Sequence, residues 1–85
     1  IELDANHWNS YNSRSYVYCR AGRFDDAVRD YDAAIGGLPE VASSWYVRGL
    51  AKRALGDAKG AEADIAKGLA LDPKVGERYA GYGAQ

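Results

Sequence analysis

Few side chains in this 85-residue chain are of types that could carry out chemistry. Cys19 is the single cysteine and His7 the single histidine. A cysteine nucleophile needs a base within hydrogen-bonding reach to take its proton. His7 stands twelve positions earlier, roughly three helical turns along the chain and outside the helix that carries Cys19. Zinc asks for several nitrogen or sulfur ligands at close spacing, and no second His or Cys flanks His7. Neither catalysis nor metal ligation is therefore expected, and Cys19 reads as a small residue in a groove.

Asp25, Asp26, Asp30 and Asp32 crowd one stretch and could hold a cation. The commoner use of such a run is a solvated outer helix face, with its first acids at the positive end of the helix dipole. Gly36-Gly37 and Gly81-Tyr82-Gly83 lack the strand-then-helix setting and the Lys-Ser/Thr pair of a phosphate loop. They read as a helix stop and a chain end. Seven Tyr and two Trp raise the idea of base stacking. Tyr11, Tyr18, Tyr31, Trp45 and Tyr79 instead fall at recurring core offsets, and only Trp8 and Tyr82 stay ambiguous. A formal net charge of -1 also speaks against nucleic acid. No enzyme, cofactor or metal is expected, and no apolar run approaches the roughly 20 residues of a membrane span.

The elements that position these residues repeat. A shift of 34 places Ser10 on Ser44, Arg14 on Arg48, Gly22 on Gly56, Ala27 on Ala61, Asp30 on Asp64, Pro39 on Pro73 and Val41 on Val75. A period of about 34 is that of a two-helix unit in a solenoid. Residues 8–21 read as a helix, with Tyr11, Val17, Tyr18 and Ala21 at helical spacing. Gly22 ends it as a left-handed cap. A second helix runs from Phe24 to about Ile35, with Ala27, Val28, Tyr31, Ala34 and Ile35 on its apolar stripe. Ala42 to Leu55 is the third, with Trp45, Leu50 and Ala51 inward. Gly56-Asp57 is both its stop and the next N-cap. Ala58 to Leu71 is the fourth, with Ala61, Ile65, Leu69 and Leu71 inward. Residues 76–83 restart the first-helix pattern as a short capping helix. Arg14 with Asp30, and Arg48 with Asp64, are expected to bridge the two helices of each hairpin as ion pairs, each contributing about 0–1 kcal/mol where exposed.

The set Trp45, Gly49, Gly56, Ala61, Ile65, Leu69 and Asp72-Pro73 resembles the tetratricopeptide repeat. So does the set Tyr11, Tyr18, Gly22, Ala27, Tyr31, Ala34, Ile35 and Pro39. The resemblance covers essentially the whole chain. It implies an all-α, antiparallel helix-hairpin solenoid with two full repeats and a C-terminal capping helix. The expected boundaries are 1–7 for the end of a preceding repeat, 8–41, 42–75, and 76–85 for the cap. Ile1 stands in place of Met and no Met occurs, so the chain is expected to be part of a longer protein whose native N-terminus is missing. Its compartment is left open, with the cytoplasm as the default. Lys52 in place of Tyr18, and Gly68 in place of Ala34, are expected to loosen the second repeat.

In such arrays the first helix of each pair lines a concave groove that takes a peptide or partner helix. The positions matching that lining are Asn9, Asn12, Tyr16, Cys19 and Arg20, then Ser43, Tyr46, Leu50, Arg53 and Ala54. Aromatics offer large contact area and Arg forks onto carboxylates, so a peptide with apolar and acidic side chains is expected. One subfamily clamps acidic chaperone tails with Lys, Asn and Arg. Val47 and Gly81 stand where two of those residues would come, so that binding is not expected. The alternative is structural: weak self-association or capping through Ile1 and Leu3 at one end and Tyr79 and Tyr82 at the other.

Overall fold

A computed structural model describes the backbone of residues 5–78 and the side chains of residues 10–77. It is all-α across this span: α1 (Ala5–Arg20), α2 (Phe24–Gly37), α3 (Ala42–Ala54), α4 (Ala58–Leu71) and α5 (Val75–Arg78). Helix α1 begins three residues before the expected start, since Ala5 favours a helix. Helix α2 carries Gly36-Gly37 as its last turn, closed by the Leu38 amide donating to the Ala34 carbonyl at 2.7 Å. The remainder of the expected capping helix, with Tyr79 and Gly83, lies outside the described residues, as do Ile1, Leu3 and Tyr82.

The two hairpins α1–α2 and α3–α4 turn in the same way. Gly22 (φ 81°) and Gly56 (φ 91°) both sit in the left-handed region. The amide after each glycine bonds back to an earlier carbonyl, Arg23 to Tyr18 at 2.8 Å and Asp57 to Lys52 at 2.9 Å. That bond and its inner companion form the Schellman cap, which satisfies carbonyls a helix end would leave orphaned. Asp57 then caps α4 by accepting from the Gly60 amide at 2.9 Å, as expected from its type.

Packing joins the hairpins into one body. Cys19, Ala27, Tyr31, Val47 and Ala51 form a single buried cluster drawn from α1, α2 and α3, with Tyr16, Tyr18, Phe24, Val28 and Tyr46 around it. Val47 and Val75 are fully buried. Four expectations need correction. Leu69 is exposed, 39% against 9% for its counterpart Ile35: α3 packs broadly on α2, whereas among the described residues α4 is followed only by the four-residue α5. Trp45 is half-buried; its indole nitrogen donates to the Pro39 carbonyl at 2.8 Å. Gly68 does not loosen its hairpin. A Cβ there would meet the Ala42 carbonyl and the Tyr46 amide at 3.0 Å, so the missing side chain is what lets α4 approach α3. Lys52 likewise tightens the hairpin, its ammonium lying 3.1 Å from Asp64.

Candidate functional site

The expected Arg–Asp bridges form in both hairpins. Arg14 donates from Nη2 to Asp30 at 2.9 Å and from Nε to the other carboxylate oxygen. Arg48 makes the same fork onto Asp64, at 2.7 and 2.9 Å. Two donors on one carboxylate fix geometry as well as charge. The two bridges differ in exposure, however. Both acids are buried, and the Arg48 side chain is only 13% exposed against 56% for Arg14. The difference has a cause in α2: Asp32 accepts from Arg48 Nη1 at 2.6 Å and so covers it. Burial works against the Arg48 charge, but its bonds to Asp64 and Asp32 outweigh that and hold its pKa above the ordinary value. Burial would raise Asp64 too, yet the bonds from Arg48 and Lys52 hold its carboxyl below the usual range. The bond to Asp30 raises Arg14 as well.

The acids of α2 are thus not a cation site on a common outer face. Asp30 turns inward to Arg14, Asp26 pairs with Arg23 and Arg29, and Asp32 reaches Arg48. Among the described residues no group of three metal-ligating side chains converges.

The expected groove positions divide. Asn12, Tyr16 and Ser43 come together with Ser13, Val17 and Tyr31 around one depression of about 440 Å³ between α1 and α3. Asn12 is also tied down, accepting from the Ser44 hydroxyl across the two hairpins. Arg20 and Arg53 are exposed in the last turns of α1 and α3, and Arg20 lies over the Tyr16 ring, 5.9 Å from its centroid. Ala54 is exposed beside Arg53.

Others are not surface. Cys19 and Leu50 are buried at 3% and 6% exposure, so both belong to the packed interior and cannot line an open groove. Tyr46 packs against the core cluster, and α5 crosses its ring, Gly76 lying close to the hydroxyl end. The Asn9 side chain lies outside the described residues. Sequence reasoning missed the Asp32 link and the exposed Val17.

Against known proteins, residues 42–75 match the family model described as tetratricopeptide repeat. The chain is similar to the Hsp70-Hsp90 organizing protein of Triticum aestivum, 39% identical over 63 residues. That match covers 74% of this chain and 11% of the relative, so the chain spans only a small part of that protein's length. No solved structure matches the chain significantly. Among the described residues no helix is long and apolar enough to cross a membrane. The two recurring hairpins, their repeated caps and these matches agree: the chain belongs to the tetratricopeptide-repeat family, whose members generally serve as non-catalytic modules for binding other proteins.

Proposed function

We propose that this protein holds a peptide segment of a partner protein in the groove between α1 and α3. One observation carries the reading: Asn12, Tyr16 and Ser43 line a single depression, with Arg20 stacked on Tyr16 beside it. Tyr16 supplies a broad, stiff contact face. Arg20, with Arg53 on the neighbouring helix, favours acidic side chains in the bound segment. The wheat relative, by its name, organizes Hsp70 and Hsp90, which fits a module that holds protein partners. Clamping an acidic chaperone tail is not part of the proposal. Val47, at a position where such a clamp would need Asn, is fully buried and has no side chain to offer.

The test is selection of binders from a random peptide library on the 85-residue chain, followed by affinity measurement on a Tyr16→Ala, Arg20→Ala, Arg53→Ala variant. The expected binders are rich in acidic and apolar residues and lose affinity for the variant at least tenfold, the effect of roughly 1.4 kcal/mol. Equal affinity for the variant would remove the groove assignment. Self-association through the chain ends rests on Ile1, Leu3, Tyr79 and Tyr82, all outside the described residues, and gains no support from the geometry.

A further inference from the structure

Two serines of this protein are fully buried, and their hydroxyls find different partners. Ser15 donates to the Tyr11 carbonyl at 2.8 Å, one turn back in its own helix. That is the usual resort of a buried helical hydroxyl. Ser44 is the third residue of α3, and Glu40, four positions earlier, lies outside the helix. With no helical carbonyl one turn back, its hydroxyl crosses to the other hairpin and donates to Asn12 Oδ1 at 2.5 Å. Water cannot replace that bond at a site with no exposure.

Asn12 is half-buried and lines the depression between α1 and α3. A carboxamide has one acceptor oxygen and an NH2 group with two donors. Ser44 takes the oxygen, so the group left for an occupant is the donor Nδ2. The rest of the lining, Ser13, Tyr16, Val17, Tyr31 and Ser43, carries no charge. The cations Arg20 and Arg53 stand in the last turns of α1 and α3.

We infer that Ser44 is a positioning residue: it holds the Asn12 carboxamide with its N–H groups toward the depression, so that the groove takes a main-chain carbonyl of an extended segment whose acidic side chain lies at Arg20. The inference rests on the groove reading above and narrows it. A neutral donor suits a neutral carbonyl, while carboxylates are drawn to the guanidiniums. Carbonyls inside a helix already accept from amides four residues on. Those of an extended segment are open to a new donor. The occupant is therefore an extended peptide and not a partner helix. A segment that turned an N–H to this point would set two donors against each other.

The experiment uses the 85-residue chain and the tightest peptide of the library selection, made with blocked ends, and measures affinity by calorimetry. Asn12→Asp keeps an acceptor for the Ser44 hydroxyl but replaces the donor by a carboxylate oxygen. It is expected to weaken binding at least tenfold. Ser44→Ala puts a good helix former at the buried site and is expected to weaken binding about threefold to tenfold, the scale of a neutral hydrogen bond. In an Asn12→Ala background Ser44→Ala is expected to change nothing further, because its effect passes through Asn12. The Asn12→Asp loss is also expected to persist for every peptide in which one side chain is replaced by Ala, since the main chain is unchanged. Should Ser44→Ala fail to fold, Asn12→Asp carries the test.

Four results would each overturn the inference: equal affinity for Asn12→Asp, a further loss from Ser44→Ala in the Asn12→Ala background, disappearance of the Asn12 effect on replacing a single peptide side chain, or a bound peptide that is helical by nuclear Overhauser contacts. If affinity still falls in the Tyr16→Ala, Arg20→Ala, Arg53→Ala variant, the groove reading stands and only this inference falls. If that variant binds equally well, both fall together.

Discussion

Arg48 of α3 donates from Nη1 to Asp32 of α2 at 2.6 Å while its other nitrogens fork onto Asp64 of α4. One guanidinium therefore ties the two hairpins to each other as well as closing its own. Arg14 performs only the second task. Removing one partner of a buried pair leaves an uncompensated charge, which costs about 3 kcal/mol or more. Arg48→Gln is expected to lower the unfolding free energy by that order, and Arg14→Gln, which breaks a bridge within one hairpin only, by less. Equal losses in urea titrations would contradict the role given to Asp32.

The same network sets a pH response. Asp64 is held below the usual carboxylate range in the folded state. The unfolded chain then binds the proton more readily, so stability rises with pH through this window. The contribution is fully present above the ordinary Asp value of about 3.9 and is lost as pH falls through the lowered folded value. Thermal melts between pH 6 and 2 are expected to show this loss, and Asp64→Asn is expected to flatten it.

Gly49→Ala is expected to destabilise the chain although Ala is the better helix former by about 1 kcal/mol. The added Cβ would lie 2.9 Å from the Ala61 carbonyl and 2.7 Å from the Ile65 side chain. Overpacking of this kind costs about 1–3 kcal/mol, and backbone cannot swing aside as a flexible side chain can. A rise in melting temperature would show that the hairpin can widen at no cost.

Asp57→Ala removes the side-chain acceptor at the start of α4. The expected loss is roughly 1 kcal/mol, read by chemical denaturation. Asp57→Ser, which keeps an acceptor, is expected to restore most of it.

Cys19 is expected to resist thiol reagents while the chain is folded, since it lies in the central cluster at 3% exposure. Labelling by a maleimide should accelerate only as denaturant unfolds the protein. Rapid labelling of the native chain would place the thiol in the groove after all.

Much of this protein was determined by the sequence alone. The 34-residue period, the glycines at 22 and 56 and the cap at Asp57 act within a few residues of themselves. Local backbone geometry is sufficient to set such features, so the helices and their stops are legible without a fold. The bridges from Arg14 to Asp30 and Arg48 to Asp64 were legible too, because a hairpin of known period brings those offsets face to face. What faces the groove and what faces the core was decided only in three dimensions. Leu50, Cys19 and Tyr46 share the helical spacing of the groove positions, but the first two are buried and Tyr46 packs on the core cluster beside α5. Leu69 repeats Ile35 in the chain and not in its surroundings, and Arg14 repeats Arg48 in the same incomplete way. A repeat fixes residue types; burial depends on which neighbour is packed on each copy.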